Sequence, residues 1–185
     1  MLEIKNVHKT FNKGTINEKK ALNGVDLKLA PGDFVTIIGG NGAGKSTMLN
    51  MIAGVYPIDQ GTILLDGKDI SDLPEYKRAY MLGRVFQDPM MGTAAGMEIQ
   101  ENMAMANRRG KRRGLSWGIT KKEKKMFKEK LAALDLGLED RMTSKVGLLS
   151  GGQRQALTLL MATLKKPSLL LLDEHTAALD PKTAK

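Results

Sequence analysis

The stretch GGNGAGKST, residues 39–47, matches the phosphate-binding pattern GxxxxGK(S/T). Its glycines let the backbone turn N–H groups inward at the positive end of a following helix, where they bind anions. A match of this kind arises by chance in under about 1% of chains of this length. The pattern therefore predicts a phosphate loop (P-loop) rather than a plain glycine-rich turn.

The segments around the P-loop predict an α/β fold. Phe34–Ile38 is nearly all apolar and β-branched, which is typical of a strand buried on both faces of a parallel sheet, and residues 48–53 form the expected helix. Other strands are predicted at 2–8, 25–29, 62–65, 84–86 and 169–172, and helices at 75–82, 97–107, 120–135 and 151–164. The stretch from about 89 to 148 is rich in Met, Ala and Lys, so it predicts a helical insert.

Acidic and hydroxyl side chains complete a site for a nucleotide and its metal ion. Lys45 is placed to reach the β- and γ-phosphates, and Ser46 to bind Mg²⁺. The predicted strand at 169–172 ends in Asp173 and Glu174. An aspartate there can hold Mg²⁺ through water, and the glutamate can polarise an attacking water. Beside a P-loop, we expect these acids to serve the site rather than to be a solvated strand end.

The pentapeptide LSGGQ at 149–153 predicts a second anion site. Ser150, Gly151 and Gly152 open a helix, so free N–H groups remain at its positive end. A serine cap followed by a glycine turn would explain the helix start alone. It would not explain the pentapeptide, which arises by chance in about 2 of 10,000 such chains.

Taken together, these motifs resemble the ATP-binding subunits of ABC transporters. The matching elements are GGNGAGKST, Gln87, LSGGQ, LLLLDE at 169–174 and Ala178-Leu179-Asp180, in the family's order along nearly the whole chain. The resemblance implies an α/β P-loop NTPase fold, in which a RecA-like core carries an N-terminal antiparallel β subdomain and an inserted helical subdomain. It implies one ABC ATPase domain over 1–185, C-terminally incomplete, with a core of 1–88 and 151–185 and a helical subdomain at about 89–150.

The resemblance also implies a role for each matching residue, with ATP and Mg²⁺ as ligands. Phe11 would stack on adenine, and Asp180 would lie at a dimer seam. Lys45, Gln87 and Glu174 are the implied catalytic residues, with Glu174 as the base. Mg²⁺ would be held by Ser46, Gln87 and Asp173. The implied nucleotide-binding residues of the two motifs are Gly39, Gly40, Asn41, Gly42, Ala43, Gly44, Lys45, Ser46, Thr47, Ser150, Gly151, Gly152 and Gln153.

The family's mode of assembly implies the partners. Two subunits meet head to tail as a homodimer, with ATP held between the P-loop of one and the LSGGQ motif of the other. A membrane permease and a substrate-binding protein are the other implied partners, in a bacterial uptake system for an amino acid or a similar small solute. The chain has no cysteine and no apolar run near the ~20 residues of a membrane span. We therefore expect it in the cytoplasm, and the resemblance implies a peripheral position on the inner face of the cell membrane.

Two other functions stay open from the sequence. The first is a soluble ABC-type ATPase that acts on nucleic acid or ribosomes. Such proteins usually carry two cassettes or a long coiled coil, and the 62 residues from Gln87 to Leu149 leave no room for the latter, so nucleic acid is not expected as a partner. The second is a nucleotide-binding module without turnover. The sequence ends at Lys185, before the family's switch histidine, so we expect weak or absent hydrolysis and low stability of this chain alone.

The net charge of +9 is concentrated in one basic segment, residues 107–130. This segment holds eleven Lys and Arg against two Glu, and the rest of the chain is neutral. Three interpretations are open: a solvated helical face, contact with anionic lipid head groups, or contact with nucleic acid. Trp117 would suit a membrane interface, while Phe127 is the only other aromatic residue there, so base stacking has little support.

Methionines cluster after Gln87, at positions 90, 91, 97, 103 and 105. We expect most of them in a helical core. Because methionine side chains repack easily, some could instead form a pliable surface where a coupling helix of the membrane subunit docks.

Overall fold

The chain divides into two units, Met1–Leu82 and Gly83–Lys185. The structure is a computed structural model that describes residues 1–111 and 118–173. The sequence-based division into a core of 1–88 and 151–185 and a helical subdomain at about 89–150 stays a prediction.

An antiparallel sheet forms most of the first unit. Its strands are β1 (Leu2–Phe11), β2 (Lys19–Leu29), β3 (Gln60–Leu65) and β4 (Lys68–Asp69), in the order β2-β1-β3-β4. Alternate residues along a strand point to opposite faces, which is why Leu2 and Ile4 of β1 are buried together with Ile63 of β3. The sheet confirms the predicted strands at 2–8, 25–29 and 62–65.

Two helices complete the first unit. Helix α1 (Lys45–Ala53) lies between Gly44 and Gly54, whose left-handed backbones have φ angles of 90° and 85°. A left-handed glycine is a common helix terminator, so α1 ends where the sequence predicts. Helix α2 (Glu75–Arg78) is a single turn, shorter than the predicted 75–82, because the next strand already begins at Leu82.

The predicted buried strand at Phe34–Ile38 is wrong. Residues 33–40 form no strand, and Phe34 and Ile38 are 85% and 91% exposed. A strand is buried only when its backbone pairs with neighbours, and no strand within residues 1–111 or 118–173 pairs with this segment. Apolar composition favours burial, but it does not supply a strand with which the segment can pair.

Helices dominate the second unit. They are α3 (Ile99–Asn107), α4 (Lys121–Ala132) and α5 (Gly151–Thr163), with single 3₁₀ turns at Leu138–Asp140 and Val146–Leu148. Each helix begins with a capping box, in which two side chains bond reciprocally with backbone N–H groups three residues apart. These helices confirm the predictions at 97–107, 120–135 and 151–164.

One apolar core joins the three helices. It consists of Ile99, Met103, Ala104, Phe127, Leu131, Leu138, Val146, Leu149 and Leu157. A two-stranded sheet, β5 (Leu82–Val85) and β6 (Leu169–Leu172), completes the second unit. The predicted strand at 169–172 is present, but only Leu171 is buried and its three neighbours are half-buried.

Candidate functional site

The P-loop, residues 39–47, closes on its own lysine. The Lys45 ammonium donates hydrogen bonds to the carbonyls of Gly39 and Gly40, at 2.6 Å and 3.2 Å. The N–H of Ala43 also donates to the carbonyl of Gly40, at 3.2 Å. The first turn of α1 contains no acidic residue. The ammonium and the positive end of the helix dipole therefore make this site positive.

Gly44 holds the P-loop against β2. A Cβ atom at this position would lie 2.6 Å from the carbonyl oxygen of Ala21 and 2.9 Å from Cδ2 of Leu22. The backbone of Gly44 is also left-handed, a conformation that side chains disfavour. Only glycine fits here, which gives a physical reason for the last glycine of the P-loop pattern.

Phe11 ends β1, in the same unit as the P-loop. Its ring meets Tyr56 edge-on, with centroids 5.3 Å apart, and the Lys9 ammonium lies 5.6 Å from the Phe11 centroid. Asp59 pairs with Lys9 at 3.0 Å and accepts the N–H of Thr10 at 2.6 Å. The Thr10 N–H lowers the pKa of Asp59, and Lys9 adds to this effect while burial opposes it. These contacts fix the strand end, and Phe11 stays half-buried.

Gln87 and Asp173 lie at the ends of neighbouring strands in the second unit. Gln87 follows β5 by two residues, and Asp173 follows β6 directly. The N–H of Asp173 donates to the carbonyl of Val85 at 3.2 Å, so the carboxyl ends of β5 and β6 lie side by side. The structure thus places two of the three predicted Mg²⁺ ligands at the ends of neighbouring strands. The predicted catalytic Glu174 and the seam residue Asp180 lie outside the described residues.

The LSGGQ motif forms the exposed start of α5. The Ser150 hydroxyl accepts the N–H of Gln153 at 3.2 Å, and the Gln153 side-chain oxygen accepts the N–H of Ser150 at 3.2 Å. Cβ atoms at Gly151 and Gly152 would meet no described atom within 4 Å. The positive end of α5 therefore faces open space, as a second anion site requires.

Arg154 is a residue of this region that the sequence analysis missed. Its buried guanidinium donates to three backbone carbonyls, those of Val146, Gly147 and Leu149, at 3.2, 3.1 and 3.4 Å. These carbonyls immediately precede Ser150, so Arg154 fixes the backbone that enters the LSGGQ motif. The sequence does place an arginine one helical turn after the Ser150 cap. From that position a side chain can fold back over the loop that precedes the helix, and this spacing could have predicted the contact.

The prediction that most of the clustered methionines are helical core is wrong. Met103 is buried and Met97 is half-buried, whereas Met90, Met91 and Met105 are 52%, 70% and 47% exposed. Met90 and Met91 precede α3, so they lie outside the helix that buries Met103, and Met90 contacts Arg154 of α5 through its sulfur. Met105 lies two residues after Met103, which puts it on the opposite side of α3.

Six lysines of α4 form an exposed basic face: Lys121, Lys122, Lys124, Lys125, Lys128 and Lys130. Lys128 pairs with Asp140 at 3.1 Å, and Arg108 pairs with Glu123 at 3.4 Å. The other charges of this face extend into solvent. Arg112, Arg113 and Trp117 lie outside the described residues, so the three interpretations of the basic segment stay predictions.

The donors predicted for Mg²⁺ suit a metal ion that is shared with phosphate. Mg²⁺ commonly takes one or two carboxylates plus substrate phosphates and water. Ser46, Gln87 and Asp173 include one carboxylate, and no three His, Cys, Asp or Glu residues gather anywhere in the described part of the chain. No helix among the described residues is long and apolar enough to cross a membrane.

The first unit holds a P-loop at a helix start, and the second unit holds an aspartate at a strand end and an open helix start. These features define a P-loop nucleotide-binding protein, and comparison with known proteins identifies its family. A sequence profile of the family described as ABC transporter matches residues 22–177.

Two relatives illustrate the similarity in sequence. The chain is 44% identical over 184 residues to the tyrosine transport ATP-binding protein of Clostridioides difficile strain R20291, and the match covers 100% of this chain and 73% of that protein. It is 36% identical over 196 residues to the methionine import ATP-binding protein MetN of Clostridium acetobutylicum, covering 100% of this chain and 54% of MetN. The chain thus spans between about half and three quarters of these relatives.

Solved structures agree with the sequence comparison. The fold is similar to the ATP-binding cassette MJ0796, determined as a dimer in a post-hydrolysis state with ADP and Pi, at 32% identity and a TM-score of 0.82. The match covers 99% of this chain and 78% of that one. The chain therefore belongs to the ABC transporter family, as an ATP-binding subunit with the ATPase cassette fold. The predicted fold class, a P-loop NTPase with an antiparallel β subdomain, is confirmed.

Proposed function

We propose that two copies of this chain bind ATP and Mg²⁺ between them, head to tail, and that hydrolysis drives transport through a separate permease. The observation that carries the proposal is the open, positive start of α5 at Ser150, Gly151 and Gly152. This helix start lies in the second unit, whereas the P-loop lies in the first. MJ0796, which is similar in fold, is a dimer in its solved structures.

In this function each of the predicted site residues performs one physical task. Lys45 exchanges its bonds to the P-loop carbonyls for phosphate oxygens and neutralises their charge. Ser46 and Asp173 hold Mg²⁺, whose charge offsets that of the phosphates. Gln87, at the strand end beside Asp173, orients the attacking water, and Glu174 accepts its proton. Ser150 of the second copy donates to the γ-phosphate, so ATP itself joins the two subunits.

Mg-ATP should convert the Glu174→Gln chain from monomer to dimer, as measured by light scattering. The substitution removes the proposed base, so ATP should stay bound and the binding energy at the γ-phosphate should hold the dimer closed. ADP should leave the chain monomeric because it lacks the γ-phosphate.

The controls separate the two half-sites. Lys45→Ala should abolish both ATP binding and the dimer. Ser150→Phe should keep ATP binding and abolish only the dimer, because the bulky side chain blocks the open start of α5. A chain that binds ATP but stays monomeric as Glu174→Gln would contradict the proposed dimer.

The transported solute is proposed to be an amino acid or a similar small molecule taken up with the help of a substrate-binding protein. The names of the tyrosine and methionine relatives support this choice. The same relatives favour a transport role over an ATPase that acts on nucleic acid. Stimulation of ATP hydrolysis in reconstituted vesicles by the solute-loaded binding protein would test the assignment.

A cavity in the second unit is the proposed place for the coupling helix of the permease. Its volume is about 340 Å³, and its lining includes Met97, Met105, Glu101 and Arg108. Met105 is exposed, and methionine surfaces adapt to different apolar partners. The cavity therefore combines a pliable apolar wall with charges of both signs, which suits a short amphipathic helix.

We further propose that the exposed face of α4 holds the chain at the inner surface of the membrane. Replacing Lys121, Lys122, Lys124 and Lys125 with glutamine should reduce binding to vesicles of anionic phospholipid by at least about tenfold, because each lysine near such a surface contributes ~1 kcal/mol. Co-sedimentation at low salt measures the effect.

The matched control removes four exposed lysines outside α4: Lys13, Lys20, Lys28 and Lys77. Both variants have the same net charge. If the face of α4 itself binds the membrane, only the α4 variant should lose vesicle binding. Equal losses would assign binding to overall charge, and unchanged binding would leave α4 as a solvated face.

A further inference from the structure

A second ammonium group lies against the P-loop. Lys19 is the first residue of β2, and a Cβ atom built on Gly42 would lie 3.5 Å from its Nζ. The cross-strand partner of Lys19 is Phe11, which is the predicted adenine-stacking residue. The backbone of Lys19 therefore lies beside the residue predicted to stack on the base, and its ammonium lies at the loop predicted to bind the phosphates.

No described residue neutralises the charge of Lys19. None of the ion pairs within residues 1–111 and 118–173 includes it. The neighbouring Glu18 turns away and accepts the N–H of Gly14 at 2.8 Å. The first turn of α1 also lacks an acid, so it offers no counter-ion to Lys19 at Gly42 or to Lys45. Like charges in this arrangement repel one another until an anion joins them.

We propose that Lys19 binds the phosphates of a nucleoside di- or triphosphate and is a positioning residue that supplements Lys45. The inference rests on the proposed ATP-binding function. A lysine ammonium acts as a flexible point charge, so its contribution depends on the charge of the phosphate chain rather than on the base. The effect should consequently grow from AMP, which has one phosphate, to ADP and ATP.

Isothermal titration with Mg-ADP tests the role of Lys19. Lys19→Gln should weaken ADP binding about fivefold, which corresponds to about 1 kcal/mol, while AMP binding should change less than about twofold. Lys19→Arg keeps the charge and should restore most of the affinity. The affinity of Lys19→Gln for ADP should also fall less steeply with added salt, because one ionic contact is missing.

Lys20→Gln is the matched control. Lys20 is equally exposed and adjacent in β2, but its side chain points to the opposite face of the sheet. It loses the same charge, so its ADP affinity should stay within about twofold of the original chain. Circular dichroism should show the same folded signal for both variants, since both side chains are exposed.

The outcomes distinguish this inference from the function on which it rests. If the unaltered chain binds ADP, Lys45→Ala abolishes binding and Lys19→Gln binds as well as the original, the role of Lys19 is overturned and the ATP site stands. An equal loss in Lys20→Gln would also overturn it, because net charge alone would explain the effect. Failure of the unaltered chain to bind ADP would overturn both.

Discussion

Replacing Arg78 with methionine should lower the free energy of unfolding by about 3–5 kcal/mol. Arg78 is 1% exposed, and its guanidinium donates only to backbone carbonyls. The acceptors are the carbonyls of Leu73 (2.6 Å), Met51 (2.7 Å), Ile52 (3.0 Å) and Ser71 (2.8 Å). Methionine would fill much of the space but would remove one donor from each carbonyl, of which that of Met51 keeps the N–H of Gly54 at 3.1 Å. A buried carbonyl left with no donor and no water costs about 1–3 kcal/mol.

The position of these carbonyls makes Arg78 important for the P-loop helix. Met51 and Ile52 belong to the last turn of α1, whose carbonyls form the negative end of the helix. A Cβ atom at Gly54 would lie 2.7 Å from Nε of Arg78, so the helix terminator is a glycine partly because the guanidinium packs against it. Burial lowers the pKa of Arg78, and the carboxylates of Asp72 and Asp69 oppose this effect.

Urea denaturation followed by circular dichroism measures the Arg78→Met effect. Lys77→Met is the control, because Lys77 precedes Arg78 in α2 and is exposed, and it should change stability by less than about 0.5 kcal/mol. Arg78→Lys should fall between the two, since an ammonium cannot reach all four carbonyls at once. A loss below about 1 kcal/mol for Arg78→Met would contradict this account of the first unit.

Arg78 also illustrates which parts of the fold could be predicted from sequence. Helices α3, α4 and α5 were predicted because their signals are local, namely apolar periodicity and a capping residue three positions before its partner. The contact from Arg78 to Met51 spans 27 residues and leaves no local pattern. A charged residue in a short polar helix predicts exposure, and only the tertiary structure shows the guanidinium inside.

The segment Phe34–Ile38 shows the same limit in the opposite direction. Its composition predicts burial, yet burial of a strand depends on neighbours elsewhere in the chain, and the described residues supply none. The same limit applies to the methionines after Gln87, since Met90 and Met91 lie before α3 and Met105 lies on its exposed side. Local sequence propensity predicts a helix or a strand, whereas the segments that pack against it decide which of its faces is buried.

The candidate site was more predictable than the packing, because its motifs are themselves local. The P-loop and the LSGGQ motif each combine a glycine turn and a helix start within nine residues or fewer, so the sequence predicts their geometry. Gln87 and Asp173 are far apart in sequence, and only the resemblance to a family placed them in one site. Arg154 and Lys19 were missed, because each acts through a contact that no motif encodes.

Gly44→Ala should weaken nucleotide binding by about 30-fold or more, equivalent to at least about 2 kcal/mol. The methyl group would lie 2.6 Å from a carbonyl oxygen of β2, and a backbone atom in a sheet cannot move aside as a flexible side chain can. The P-loop must then lift away from Ala21, and Lys45 moves with it because it follows Gly44 directly. Isothermal titration with Mg-ADP measures the loss.

Gly32→Ala is the control that separates steric clash from backbone strain. Gly32 has the same φ angle of 90° as Gly44, but a Cβ atom there would meet no described atom within 4 Å. Both substitutions place alanine in the left-handed region, at about 1–2 kcal/mol of stability each. Only Gly44→Ala forces the P-loop off β2, so only this variant should lose nucleotide affinity. If Gly44→Ala binds ADP normally, contact with β2 does not shape the phosphate site; if both variants lose affinity equally, general destabilisation is the cause.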